Sequence, residues 1–351
     1  MINTDQKVIL SGMTLQELED LAETLDEPKF RAKQLHSWLY KKCVSEFDQM
    51  TNLSKDFRAK LDKIARISDT KIKQRLISSD GTIKYLLEFS DNSSVETVLM
   101  RFDNRPNLTA CVSSQVGCSV GCTFCATGER GFVRNLELKE IVDQILSIQR
   151  DTGLEVTNVV YMGQGEPLLN YDKVINSIKF INEELEIGMR RITISTSGII
   201  PQILKLADEN RQLTLALSLH APNHEIREKL IPIEKKYPVE EVVKALHHLT
   251  QKTGRRVTIE YVLIDGVNDA PEHAKEINYL LKGLNYNVNL IPYNSVNRDD
   301  FKASSTKKIN MFKYILEQSG KKVTVRLERG SDILAACGQL SGKEVITDKL
   351  Q

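Results

Sequence analysis

The run Cys118-Ser-Val-Gly-Cys122-Thr-Phe-Cys125 places three thiols on one short loop, at the spacing C-x3-C-x2-C. Thiolate is the usual protein ligand of iron–sulfur clusters, so this loop can hold three irons of a [4Fe–4S] cube. The fourth iron then has no nearby protein ligand and stays open to a small chelator. Structural zinc is the main alternative. It prefers four protein ligands, usually as two pairs, and no second pair or nearby histidine accompanies this loop. A disulfide framework cannot use three neighbouring thiols. Four of the six cysteines fall between Cys111 and Cys125, which favours metal chemistry over chance spacing.

A chain of 351 residues can hold one large α/β domain and a small appendage. Its 41% hydrophobic and 27% charged content is that of an ordinary globular protein. The net charge of +1 gives no global field for nucleic acid, so any RNA contact must use local basic patches. The start, Met1-Ile-Asn-Thr-Asp-Gln-Lys7, is polar, and no signal peptide or long apolar run is visible. These features lead us to expect a reducing, cytoplasmic setting, where close cysteines more often bind metal than pair.

Period changes divide the chain into an expected helical unit (1–66), a β-meander link (67–105) and a catalytic domain (106–351). Thr14-Leu-Gln-Glu17 is a capping box, with Leu15, Leu18, Ala22 and Leu25 at helical spacing behind it. A second helix should follow Pro28 and bury Phe30, Leu35, Trp38 and Leu39. A third should follow Ser54, with Phe57, Leu61, Ile64 and Ala65 on one face. Short strands are expected at 72–77, 83–89 and 95–102, joined by turns. From residue 108 onward, strands at 109–114, 158–162, 191–195, 214–219, 257–264, 287–292 and 323–327 alternate with helical patterns. Such alternation implies a parallel sheet, either doubly wound or curled into a barrel, with ligands beyond the strands' carboxyl ends.

Polar groups cluster at those ends. Gly163-Gln-Gly-Glu-Pro167 follows the second strand; its glycines allow a close backbone approach, and Glu166 can accept from an ammonium. The third strand ends in Ser195-Thr-Ser-Gly198, which suits either ligand hydroxyl and carboxylate binding or a helix cap. Ser218-Leu-His220 and Pro292-Tyr-Asn294 end two further strands; alone, each reads as structural. Cys111 and the distant Cys337 read by default as small buried hydrophobes, as does Cys43.

Taken together, Cys111-Val-Ser-Ser-Gln-Val-Gly-Cys118, the cysteine loop, Gly163–Pro167, Ser195–Gly198, Ser218-Leu-His-Ala-Pro-Asn223, Asn289-Leu-Ile-Pro-Tyr-Asn294 and Ala335-Ala-Cys-Gly-Gln-Leu340 resemble the RlmN/Cfr family. These are radical S-adenosylmethionine (SAM) methyltransferases that act on RNA adenines. The resemblance spans nearly the whole chain. It implies a partial (β/α)6 barrel preceded by a small helical domain and an antiparallel meander. Cys118, Cys122 and Cys125 would ligate a [4Fe–4S] cluster. Gly165, Glu166, Ser195, Ser218, Leu219, His220 and Asn294 would line the SAM site. Cys337 would carry the methyl group, Cys111 would resolve the adduct, and Glu96 would accept a proton.

The resemblance also implies two SAM molecules per turnover, large-subunit rRNA and tRNA as substrates, an electron donor such as flavodoxin or ferredoxin, no membrane contact, and a monomer. Methylation at carbon 2 of adenine marks the RlmN branch, which the Gly-Glu-Pro form favours; carbon 8 marks the Cfr branch. A noncatalytic metal-containing RNA-binding protein is the rival of another class. Thiol exchange between Cys111 and Cys337 requires their Cα atoms to approach within about 7 Å. Lys29, Arg31, Lys33, Lys41 and Lys42 suggest an RNA grip on the helical unit, so removing residues 1–65 should weaken RNA binding and spare SAM cleavage. Gln164 and Leu334 depart from the family pattern, where an apolar residue and Asp are common. The first is expected to alter packing near the SAM ammonium, the second to loosen the Cys337 loop.

Overall fold

The computed structural model describes residues 7–102, 105–296 and 300–345; the polar start, Met1 to Gln6, lies outside them. Three helices come first: α1 (Leu15–Thr24), α2 (Lys29–Tyr40) and α3 (Lys55–Ile64). The Thr14 hydroxyl accepts from the Glu17 N–H, and the Glu17 carboxylate accepts from the Thr14 N–H at 2.7 Å. This reciprocal cap satisfies donors that the first turn of a helix leaves without partners. Leu18, Ala22, Leu35, Leu39, Phe57 and Leu61 form the buried centre of the unit. Phe30 does not join them: it is 54% exposed. Pro28 caps α2, so Phe30 falls in its first turn and faces outward, with the Arg31 guanidinium 4.8 Å from its ring. Two strands too short to read from sequence, β1 (Val8–Ile9) and β2 (Ala65–Arg66), pair in parallel and close the unit.

The meander is β3 (Lys71–Ile77), β4 (Ile83–Glu88) and β5 (Ser94–Phe102). Rather than forming a separate link, it runs antiparallel into β6 (Arg105–Cys111), with Val98 opposite Cys111. A small hairpin, β7 (Gln115–Gly117) and β8 (Phe132–Asn135), then encloses the cysteine loop and the short α4 (Ala126–Arg130). After it come α5 (Leu138–Thr152), β9 (Asn158–Tyr161), α6 (Tyr171–Glu183), β10 (Ile192–Thr196), α7 (Ile200–Glu209) and β11 (Thr214–Ser218). The chain continues through α8 (His224–Leu230), α9 (Val239–Thr253), β12 (Val257–Leu263), α10 (Pro271–Leu280), β13 (Tyr286–Pro292), α11 (Thr306–Glu317) and β14 (Val323–Val325).

One ten-stranded sheet runs β14-β13-β12-β11-β10-β9-β6-β5-β4-β3. From β6 to β14 every parallel strand lies beside its successor. Crossovers of this kind are right-handed, so α5, α6, α7, α9, α10 and α11 all fall on one face. A doubly wound sheet needs a reversal of strand order; none occurs here. The sheet therefore curls with its helix-free face inward, and its edges, β14 and β3, do not pair with each other. The chain is an α/β partial barrel, as expected.

The helical unit covers the outside of α5. All residues from Glu140 to Gln149 are buried. Asp143 accepts from Ser11 Oγ at 2.9 Å and also bonds Ser68 and Arg150. His36 meets Glu184 at 2.7 Å, and Tyr40 packs edge-on against Phe180 of α6. Among the described residues no helix is long and apolar enough to cross a membrane.

Candidate active site

One cavity opens at the carboxyl ends of the parallel strands. Cys118, Cys122, Cys125, Gly165, Glu166, Ser195, Ser218, His220 and Cys337 all line it. Glu96, Cys111, Leu219 and Asn294 are not among its lining residues.

The β7–β8 hairpin shapes the cysteine loop. Gly117 has φ +75°, and a Cβ there would lie 1.8 Å from the Gly131 carbonyl, so only glycine lets the hairpin close. The Cys118 N–H donates to that carbonyl at 3.0 Å. Burial pushes the Cys118 thiol up to about 12 and the Cys122 thiol well above its ordinary value, and the neighbouring cysteines add to both shifts. Both are thus neutral on their own, and metal binding must release their protons. Among the described residues no three His, Cys, Asp or Glu side chains gather closely enough for a single metal ion.

The Gly163–Pro167 turn makes its close approach to protein rather than to open cavity. A Cβ on Gly165 (φ +97°) would meet Gln115 at 2.6 Å, and one on Gly163 would meet Ser113 at 2.7 Å. This packing aims Glu166 at β10: its carboxylate accepts from the Ser197 N–H at 2.7 Å, Ser197 Oγ at 2.8 Å and the Leu168 N–H at 3.0 Å. Burial nevertheless raises its pKa, against those bonds. Ser195 and Ser218, on adjacent strands, place their hydroxyls 3.2 Å apart.

His220 adopts φ +55°, a left-handed conformation that His tolerates better than most residues. Asn268 holds the turn by donating to the carbonyls of His220 and Val262. The His220 Nδ1 accepts from the Val262 N–H at 3.0 Å, so a neutral ring carries its proton on Nε2. Burial, with the nearby Arg227, lowers its pKa to about 3. The unfolded chain therefore binds a proton that the folded chain refuses between about pH 6.5 and 3. This contribution is present above pH 6.5 and is lost at up to about 1.4 kcal/mol per pH unit as acidity rises. His220→Asn, which also tolerates this backbone, should flatten the fall in urea midpoint from pH 6.5 to 4. An unchanged slope would contradict the assignment.

Three side chains that sequence reasoning passed over organise the rest. Arg227, fully buried with Glu234, donates to the carbonyls of Ser197, Ser218 and Leu219 and so fixes two strand ends. Leu219 itself is a core residue whose backbone serves this brace. Glu260 lines the cavity; its Oε1 accepts from Asn289 at 2.9 Å, while its buried Oε2 has no hydrogen-bond partner among the described residues. Arg326 places Nη1 3.7 Å from Cys337 Sγ. A charge on the interior strand Val257–Leu263 was the one available signal for Glu260.

Cys337 is exposed and its thiol is free, as is the buried Cys111. Cys111 packs with Leu340 and Ala335, which flank Cys337. Burial first, then the charge of Cys337, pushes the Cys111 thiol up to about 12, and Arg326 opposes the shift. Asn294 donates to the Cys337 carbonyl at 3.0 Å, so it tethers the loop. Glu96 is 1% exposed; it pairs with Lys84 at 2.9 Å and accepts from the Gly342 N–H at 2.6 Å. Lys84 also donates to the Leu334 carbonyl. Gln164 turns toward this network, accepting from the Glu96 N–H at 3.1 Å, instead of toward the glutamate of its own turn. Leu334 takes φ +54°, where Asp is easier to accommodate, yet Lys84 holds it. Of the basic residues, Arg134 is taken up by Asp91 and Glu140, and Lys41 by Glu186.

A carboxylate oxygen that accepts no hydrogen bond among the described residues, paired serine hydroxyls and a histidine N–H suit a small ligand bearing amine and hydroxyl groups. Beside three thiols, they fit SAM on an iron–sulfur cluster. The comparisons agree. The Radical SAM superfamily model matches residues 112–277, and the ribosomal RNA large subunit methyltransferase N-terminal domain matches residues 8–67. The chain is 49% identical over 343 residues to a probable dual-specificity RNA methyltransferase RlmN of Alkaliphilus oremlandii, covering 97% of this chain and 99% of that one. It is 50% identical over 337 residues to the protein of that name in Caldanaerobacter subterraneus subsp. tengcongensis, covering 95% and 98%. The crystal structure of a radical SAM methyltransferase from Sphaerobacter thermophilus superposes with a TM-score of 0.91 at 43% identity, covering 96% of this chain and 100% of that one. Membership of the superfamily brings a [4Fe–4S] cluster and SAM. The chain belongs to the RlmN family of radical SAM RNA methyltransferases.

Proposed function

We propose that this protein methylates carbon 2 of an adenine at the peptidyl transferase centre of large-subunit rRNA, and of the adenine beside the tRNA anticodon. The observation that carries this reading is the placement of Cys337 in one cavity with the three loop cysteines, with Cys111 packed against the same loop. Cys118, Cys122 and Cys125 would hold the cluster; Glu166, Ser195, Ser218 and His220 would hold SAM. Once bound, they would supply an electron and a 5′-deoxyadenosyl radical, with two SAM consumed per turnover. A flavodoxin or ferredoxin would be the reductant, and the enzyme would act as a cytoplasmic monomer.

Carbon 2 of adenine is electrophilic and cannot attack a methyl group as an amine would. Cys337 answers this by taking a methyl group from one SAM on its own sulfur, with S-adenosylhomocysteine as the leaving group; that S-methyl carbon would then give up a hydrogen atom to the radical and bond to the ring, forming a covalent link to the RNA. Glu96 takes the proton from the substituted carbon, and the odd electron left on the ring would pass to the cluster held by Cys118, Cys122 and Cys125. The Cys111 thiolate then attacks Cys337 sulfur; an S–S bond forms, the S–C bond breaks with its electron pair passing to the carbon, that carbon takes up a proton to become the methyl group, and methylated RNA leaves. Asn294 and Gly342 contacts hold the loop while this happens. The adenine must leave its stack to reach the cavity.

Cys111→Ala should stop the reaction at the linked stage. On a denaturing gel it should run as a protein–RNA species that is absent from the Cys111→Ala/Cys337→Ala double variant. Multiple turnovers by Cys111→Ala with no linked species would remove Cys111 from the reaction.

A further inference from the structure

We propose that Arg326, steadied by Glu260, is the cationic partner of the Cys337 sulfur, positioning it and stabilising the negative charge it bears as it attacks. The inference rests on the methyl-carrying role proposed for Cys337. Arg326 directly follows β14, and its backbone N–H donates to the Leu290 carbonyl at 2.8 Å, which pins the residue to β13. Its headgroup sits between two kinds of neighbour. On one side Nε lies 3.8 Å from Glu260 Oε2. On the other Nη1 lies 3.7 Å from Cys337 Sγ, and Nη1 and Nη2 lie 3.9 Å from Met162 Sδ.

The chemistry suits an arginine. A planar guanidinium carries several donors in a fixed fork, so one edge can meet a carboxylate while another meets sulfur. The 3.8 Å separation from Glu260 is too long for a hydrogen bond, so Glu260 takes up none of the donors that meet the sulfurs. The charged and titratable groups facing it are Glu260 from β12, Cys111 from β6 and Cys337 from the C-terminal loop. Arg326 also acts on Cys111, drawing down a thiol that burial holds high. The guanidinium thus stands directly against the sulfur that must act first as a nucleophile, Cys337. The other arginines near the cavity are engaged elsewhere: Arg227 with carbonyls and Glu234, Arg130 with the carbonyls of Ser94 and Gly342.

A purely structural role would fix β14 without placing charge at the thiol, and the two can be separated. The cluster-loaded protein is treated anaerobically with iodoacetate, an anion, or with neutral iodoacetamide. Modification of the Cys337 peptide is followed by mass spectrometry. The ratio of the two rates reports the local cation. Arg326→Gln should lower that ratio about fivefold, the effect of one unit charge a few ångströms away in a hydrated site. Arg326→Lys should largely restore it. Glu260→Gln should raise the ratio, because an opposing charge is gone, and it serves as the test if Arg326→Gln does not fold. An unchanged ratio in folded Arg326→Gln, or in Glu260→Gln, overturns the proposal. Neither RNA nor methyl transfer enters this readout. If Cys337 is not the methyl carrier, Cys337→Ala keeps methylating while the alkylation ratio still responds to Arg326.

Discussion

Glu96→Leu is expected to destabilise the protein by about 3–5 kcal/mol, the cost of stranding one member of a buried ion pair. Glu96 and Lys84 are 1% and 3% exposed, so water cannot replace the lost partner. The change also deprives the Gly342 N–H of its acceptor and loosens the hold of Lys84 on Leu334. Lys84→Met should cost a similar amount. The double variant Glu96→Leu/Lys84→Met should recover most of the loss, since no charge is then left alone. Chemical denaturation of the four proteins measures this coupling. The double variant also separates two roles for Glu96. If Glu96 accepts the proton, the double variant folds but transfers methyl groups about 10²–10⁴-fold more slowly, the usual worth of a general base. If it folds and keeps its rate, Glu96 only latches the Cys337 loop.

Removing residues 1–65 should leave a barrel that aggregates or unfolds, which reverses the expectation that SAM cleavage would be spared. The reason is α5. Its outer side is buried because the helical unit lies on it, and buried Asp143 takes part of its hydrogen bonding from Ser11. Each large aliphatic side chain returned to water forfeits about 1.5–3 kcal/mol. A few such losses approach the whole stability of an ordinary domain, about 5–15 kcal/mol. Truncation therefore cannot isolate RNA binding. Charge reversal at Lys33 and Lys42 is the cleaner probe of an RNA grip. Soluble truncated protein with intact SAM cleavage would show that the unit is an independent appendage after all.

Much of this architecture was legible because its signals are local. Apolar runs such as Val257–Leu263 between helical periods mark the parallel strands, and three cysteines on one loop mark the cluster site. Pairing between distant charges was not legible. Lys84 on Ile83–Glu88 and Glu96 on Ser94–Phe102 read as ordinary strand residues until the antiparallel register brings their strands together. Arg326, Glu260 and Cys337 meet only through the curl of the sheet. The β7–β8 hairpin is too short for alternation to reveal, although it determines how the cysteine loop is held. The glycines after β9 advertised close approach correctly, but the sequence does not say to what: Ser113 and Gln115, not a ligand, fill that space.

The most direct test of the central claim is product analysis. Anaerobically reconstituted protein, a reductant, SAM with a deuterated methyl group and RNA lacking the modification are combined, and the digested RNA is separated by chromatography with mass detection. The account predicts labelled 2-methyladenosine from rRNA and tRNA that disappears with Cys337→Ala. Labelled 8-methyladenosine would contradict the carbon-2 assignment while leaving the Cys337 chemistry in place. Labelled product from Cys337→Ala, or no product from protein with an intact cluster and normal SAM cleavage, would contradict the account itself.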